Sequence, residues 1–347
     1  MKIAVRSHEP TNSIDGYGGL EQRLGVMWGY FLEKEGHDVH YYHENVGCDE
    51  SFDLAIDCPS EPTRSCTGDR PRIRAKQHIH SSYGIGPATH PEITCSPCYK
   101  NGNYILGVPH RQPYTIGLGL MAQGKTKAQI LFLPLPYPDE LMPQGLEKGF
   151  NRTEIWWGNK GNFDPVIGPD HHAYEPFMVN GVETLKALIK LNQKVDFKIT
   201  FLLTNRTKQA AARWPDLGIN ELISQLKNVE QRETMPWTQL VQAIGKCKLN
   251  THPGGLTSSI HETIFTHGVP VTPRENAHMF LRSPGVDLIR ERQGVTADEI
   301  YDTYERLWFD EKFYTQVYEV YQESFEDHRS ANVKKYWNRA LEILELK

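Results

Sequence analysis

Two rhythms of apolar and polar residues run through the first forty positions. "KIAVRS" (2–7) has the short apolar run of a buried strand, and "DVHYY" (38–42) resumes in the same way. Between them Leu20, Leu24, Met27, Trp28, Phe31 and Leu32 recur at helical spacing, and Gly36 stands where a C-cap belongs. The glycine-rich "DGYGG" (15–19) joins the first strand to that helix. Strand, loop, helix and strand in this order make a βαβ unit, which implies a parallel sheet and a right-handed crossover. Further strand-like runs follow at 52–57, 72–80, 92–96 and 129–136.

"PLPYPDELMPQG" (134–145) carries too much proline for a helix interior or a central strand and reads as a linker. A second series follows it. Strands are expected at 153–159, 195–204, 228–233 and 248–252, with amphipathic helices at 174–193 and 236–247. From 296 to 346 the pattern is helical and rich in Tyr and Phe. Two successive βα series predict an α/β protein built of two doubly wound Rossmann-like domains facing each other across a cleft. The expected boundaries are 1–145, 146–325 and 326–347, the last a helix packing back toward the N-terminal domain. Ligands of such sheets lie beyond the C-terminal ends of the strands.

Composition narrows the function classes. The chain has 347 residues, 39% of them hydrophobic and 23% charged, the balance of a globular protein. A formal net charge of −5 offers no basic domain to clamp a polyanion. No apolar run approaches the ~18–20 residues of a membrane span, and "MKIAVRS" enters a strand directly without a signal-peptide pattern. No transmembrane segment and a cytoplasmic location are therefore expected. The six cysteines are scattered, and "CSPC" (95–98) has no second pair, so neither a disulfide framework nor a zinc site is expected.

Candidate chemistry concentrates at predicted strand ends. "HPGGLTSSIHETIFTHGVPV" (252–271) places a bare loop, Gly254, Gly255, Leu256, Thr257, Ser258 and Ser259, at the mouth of a helix, where unpaired N–H groups favour an anion. Gly18 and Gly19 allow a similar close approach, or simply a turn that packs strand on helix. His78 and His80 end the fourth strand on one face, and His80 there suits proton transfer, a sugar hydroxyl or a structural role. Asn159 and Lys160 in "GNKG" (158–161) can meet a phosphate or form a polar turn, and Arg206 follows a buried strand near the same edge. "GLMAQGKT" (119–126) satisfies the P-loop pattern, with Lys125 and Thr126 in phosphate and magnesium roles. The strand-like run that follows it does not suit a P-loop, so a phosphotransferase is only the third reading.

Taken in order, "GGLEQR" (18–23), "EGHDV" (35–39), "HIH" (78–80), "EITCS" (92–96), "LPLPYPDEL" (133–141), "GNKG" and "GGLTSSIHETIFTHGVPV" (254–271) resemble the GT-B glycosyltransferases. The similarity is to their large retaining class, which contains glycogen synthase-like and sucrose synthase-like enzymes. It implies transfer of a sugar, with retention, from a nucleotide-sugar donor to an acceptor, with no essential metal and no other cofactor. A UDP-sugar is the first expectation. The diphosphate would lie in the loop 254–259, Lys160 and Arg206 would meet its charge, and His80 would contact sugar or acceptor. Glu262 would serve as ribose ligand, although it lies one residue off the gapless alignment. The glutamate that contacts the sugar in the family is replaced by Gly254 or Gly255, and "GNKG" lacks the family's arginine. Those departures support an alternative, a catalytically silent GT-B module that binds a sugar or a partner. The acceptor is expected at the N-terminal domain, where Arg64, Arg70, Arg72 and Arg74 cluster. A saccharide, a lipid-linked group or a nucleic-acid-borne group would fit, as would a plain solvated loop.

Overall fold

A computed structural model describes residues 1–7, 14–15, 20–43, 45–58, 73–81, 105–124, 128–158, 179–202, 205–233, 235–252, 259–272 and 295–346. The side chains of 20–23, 112–113, 205–207 and 210 lie outside that description. The chain divides into two compact units, Met1–Leu141 together with Glu326–Lys347, and Met142–Phe325. The break between Leu141 and Met142 falls inside the proline-rich stretch.

The first unit is a six-stranded, all-parallel sheet. Its strands are β1 (Lys2–Ser7), β2 (Asp38–His43), β3 (Cys48–Cys58), β4 (Ile73–Ser81), β5 (Ile105–Val108) and β6 (Gln129–Phe132), in the order β2-β1-β3-β4-β5-β6. Helix α1 (Leu20–Lys34) makes the first crossover and buries Leu24, Met27, Trp28, Phe31 and Leu32, the stripe its spacing predicts. Its end is a Schellman turn: Gly36 has φ 86°, its N–H donates to Glu33 O at 2.9 Å, and His37 N–H donates to Leu32 O at 3.0 Å. Strand β6 stops at Phe132, two residues short of Pro134, because proline has no N–H for the ladder. Helix α2 (Arg111–Ala122) and strand β5 escape the pattern reading. Strand β5 has only four residues, and Pro113, Gly117 and Gly119 dilute the periodicity of α2.

The chain returns to this unit at its end. Trp28 meets Trp337 edge-on at 5.7 Å and donates from Nε1 to Pro134 O at 3.2 Å. Asp327 accepts from Arg111 Nη2 at 2.9 Å and from the Tyr336 hydroxyl at 2.8 Å, and Tyr137 N–H donates to His328 O at 2.9 Å.

The second unit is a five-stranded parallel sheet. Its strands are β7 (Glu154–Trp157), β8 (Lys198–Leu202), β9 (Val229–Arg232), β10 (Cys247–Thr251) and β11 (Val269–Val271), in the order β11-β10-β7-β8-β9. Helix α3 (Asn180–Lys194) packs on it through Leu185, Leu188 and Leu191, all fully buried. Helices α4 (Asn205–Arg213), α5 (Ile219–Ser224), α6 (Trp237–Ile244) and α7 (Ser259–Phe265) alternate with the strands. α8 (Ala297–Phe309) begins with a capping box between Thr296 and Glu299 and is followed by α9 (Glu311–Phe325); α10 (Ser330–Ile343) belongs to the first unit. No helix among the described residues is long and apolar enough to cross a membrane.

Candidate functional site

In a doubly wound sheet the place to look is beyond the carboxyl ends of the strands where the order reverses. In the second unit that point lies between β7 and β10. Strand β7 leads into Gly158 and β10 into His252, and α7 begins against both. Ser259 Oγ donates to Gly158 O at 3.4 Å and lies 3.4 Å from His252 Nε2. His252 N–H donates to Val271 O at 2.8 Å, tying the exit of β10 to β11. Asn250 Nδ2 donates to Ser259 O at 3.1 Å, and Thr263 Oγ1 donates to the same carbonyl at 2.6 Å. The segment 253–258 therefore starts and finishes on residues anchored at the switch point.

This corner is dry. All seven residues of α7 are buried, and Glu262 is fully so, with Oε1 accepting from Trp237 Nε1 at 3.1 Å. Burial pushes the His252 imidazole down to about 3, so it is neutral at physiological pH. Gly158 is a close-approach position: a Cβ there would lie 2.2 Å from Trp156 Nε1 and 2.9 Å from Ser259 Oγ. Because Trp156 is itself fully buried, Gly158→Ala is expected to cost about 2–3 kcal/mol in a denaturant melt. A variant as stable as the parent would mean that Trp156 and Ser259 yield freely.

In the first unit the order reverses between β1 and β3. Three side chains from adjacent strands meet near that edge. Arg6 Nε donates to Asp57 Oδ1 at 2.5 Å, and His80 Nδ1 lies 3.5 Å from Asp57 Oδ2, all three side chains being under one-tenth exposed. His78 and His80 stack at 6.5 Å with 15° between their planes, and burial lowers the pKa of His78.

Of the residues expected from sequence, His80 lies near the carboxyl end of β4, Ser259 opens α7 beside the exits of β7 and β10, and Glu262 lies one turn further along α7. His80 is in the first unit, and Ser259 and Glu262 come together in the second. Gly18, Gly19, Asn159, Lys160, Gly254, Gly255, Leu256, Thr257 and Ser258 lie outside the described residues, as do the expected strand at 92–96 and Arg64, Arg70 and Arg72. Arg206 belongs to the first turn of α4 rather than to a strand-end loop, and only its backbone is described. The P-loop reading fails on order. Gly119 to Ala122 form the last turn of α2, so a helix precedes the motif and strand β6 follows it, the reverse of a phosphate cradle; Lys125 and Thr126 lie outside the described residues.

Arg6, Asp57, Gly158, Trp237 and His252 were not singled out from sequence. A signal existed for two of them. Arg6 and Asp57 are charges that directly follow the apolar runs Ile3–Val5 and Leu54–Ile56 near the ends of their strands, and such residues need partners.

No protein-family model matches the chain, and no curated protein matches it by sequence. Solved structures do match. A sucrose-phosphate synthase from Thermosynechococcus elongatus is 10% identical with a TM-score of 0.62 over 99% of each chain. HepE from Anabaena, solved in complex with UDP-glucose, is 9% identical with a TM-score of 0.62, again over 99% of each chain. A UDP-forming α,α-trehalose-phosphate synthase from Burkholderia xenovorans, in complex with glucose-6-phosphate, is 11% identical with a TM-score of 0.53 and covers 83% of this chain and 74% of its own. At such identity the likeness is one of architecture, and the chain has the GT-B fold of these glycosyltransferases, with two Rossmann-like α/β units.

Proposed function

We propose that the chain is a nucleotide-sugar-dependent glycosyltransferase, with a UDP-sugar as donor and retention at the anomeric carbon. The observation that carries the reading is the β7–β10 switch point, where Gly158, His252 and Ser259 meet at the start of α7, the helix that carries the buried Glu262. Likeness of fold to HepE, solved with UDP-glucose, supports the choice of nucleotide. In the reaction the bond from the anomeric carbon to the diphosphate oxygen breaks, a bond from that carbon to an acceptor hydroxyl oxygen forms, and the hydroxyl proton passes to the departing diphosphate. The transition state resembles an oxocarbenium ion, and negative charge grows on the leaving diphosphate. Backbone N–H groups of 254–259, Lys160 and Arg206 stabilise that charge without an essential metal. Glu262 accepts from the ribose, Gly18 and Gly19 let the backbone approach the donor, Asn159 donates beside Lys160, and His80 contacts sugar or acceptor. The acceptor is a saccharide, a lipid-linked group or a nucleic-acid-borne group, and the protein acts in the cytoplasm.

A thermal-shift series with UDP, GDP, ADP and CMP, then their sugars, with and without magnesium, tests this. A ligand at about 100 times its dissociation constant adds roughly 2.7 kcal/mol to the folded state, a shift of several degrees. The expected result is a shift with UDP that does not need magnesium and is lost in Lys160→Ala. Turnover in that variant should fall about 10²–10³-fold, the usual effect of deleting one charge-stabilising donor.

A second reading is favoured by one observation, the glycine at 254 or 255 where the family carries a glutamate. It is a silent module that binds a sugar or a partner protein. Nucleotide binding with no turnover of any sugar nucleotide would select it, and absence of nucleotide binding would defeat the first reading.

A further inference from the structure

Asp57 occupies the middle of a lateral row. In the parallel register Arg6 on β1 pairs with Asp57 on β3, and Asp57 pairs with His80 on β4. Residues at one level of adjacent parallel strands leave the sheet on the same face, so the three side chains are neighbours by construction. The carboxylate divides its oxygens between them, Oδ1 to Arg6 Nε at 2.5 Å and Oδ2 to His80 Nδ1 at 3.5 Å. Asp57 is 3% exposed at its side chain, Arg6 8% and His80 9%. A buried ion pair is a poor source of stability, because desolvation consumes most of the attraction. Its geometry is another matter, since a carboxylate fixed on one side by a guanidinium presents its other oxygen in one place. Among the described residues, His78 on its own strand stacks on His80 and is lowered by burial, and the uncharged Leu106 lies in register with it on β5.

We propose that Asp57, held by Arg6, is a positioning residue for His80. It keeps the imidazole with Nδ1 toward β3, so that Nε2 is the nitrogen turned away from the carboxylate and toward substrate. At 3.5 Å the contact is close and polar but not a hydrogen bond, so Asp57 acts through its charge, which favours the tautomer and orientation that turn the Nδ1–H toward it. This inference rests on the glycosyl-transfer reading for what His80 does, but its geometric content stands apart from it.

The test begins with the unsubstituted protein. Nitrogen-15 NMR of the imidazoles, with His80 assigned by its loss in His80→Gln, should show neutral His80 as the Nδ1–H tautomer. Asp57→Asn should then lower the His80 pKa by about one unit, the scale expected when a nearby carboxylate loses its charge. Because that change leaves Arg6 buried without its counter-charge, Arg6→Gln/Asp57→Asn provides a neutral pair as a second background. With an active donor, either variant should lose about tenfold or more in kcat with donor KM changed less than twofold. Adding His80→Gln should cost nothing further, as for residues acting as a unit. An Nε2–H tautomer in the unsubstituted protein overturns the inference, as do a His80 titration indifferent to Asp57 or independent losses at the two positions. If the NMR pattern holds while no sugar nucleotide turns over, the glycosyl-transfer reading falls and the positioning of His80 by Asp57 stands.

Discussion

Glu262→Gln is expected to weaken UDP binding by about 10–100-fold while leaving the fold nearly as stable as before. The reason is the geometry around Trp237. Its Nε1–H donates to Glu262 Oε1 at 3.1 Å in a wholly buried corner, and a glutamine carbonyl can accept the same bond. What glutamine cannot supply is a second acceptor oxygen, since its amide nitrogen only donates, and leaving a ribose hydroxyl without its acceptor costs roughly 1–3 kcal/mol. Glu262→Ala separates the two roles. It leaves the indole N–H without this acceptor and opens a cavity among α6 and α7, so a loss of about 2–4 kcal/mol is expected in addition to the binding defect. Calorimetric titration with UDP beside a denaturant melt gives both readings. A glutamine variant that binds UDP as tightly as the parent would remove Glu262 from the donor site and leave it as Trp237's structural partner.

Acidification should unfold the second unit through His252. Burial holds this imidazole at about 3, against its ordinary 6.5. Between those values the unfolded chain binds a proton that the folded chain does not, so stability rises with pH across the window. It is fully present above pH 6.5 and is lost as pH falls toward 3. With these two values the loss at pH 5 is about 2 kcal/mol. For a unit of this size that is about 4–8 °C in melting temperature. The buried His110 is also shifted well down and acts in the same direction in the first unit, so the comparison must be with His252→Gln. The stability difference between parent and variant should narrow by about 2 kcal/mol from pH 7.5 to pH 5. A difference that stays constant over that range would mean that His252 does not carry the effect. Any nucleotide bound at this corner would stabilise the folded state and raise the melting temperature at every pH.

Much of the architecture was legible along the chain, for a reason visible in α1. Leu24, Met27, Trp28, Phe31 and Leu32 all face the core, and the Gly36 turn closes the helix where expected. Long periodic segments announce themselves because burial on one face is what makes them fold. Elements whose period is interrupted or too brief do not. Strand β5 has only four residues, and α2 carries Pro113, Gly117 and Gly119, so neither produces a period strong enough to read. The P-loop pattern shows the opposite failure. Its letters matched, but a phosphate cradle is defined by the strand before it and the helix after it, and here α2 comes first.

By itself, then, the sequence determined the α/β class, the two parallel series and the edge at which ligands should be sought, because hydrophobic period and turn chemistry are local properties. It also supplied His80 and Glu262 as candidate polar residues, one near the end of a strand and one in the helix that follows the glycine-rich loop. Only the tertiary structure decided what those two residues touch. Strand order brings Arg6 and Asp57, 51 positions apart, into one buried pair and sets His80 against it. Likewise the packing of α6 on α7 gives Glu262 the indole of Trp237. Register and crossover are settled by the whole sheet at once, so no window of sequence contains them.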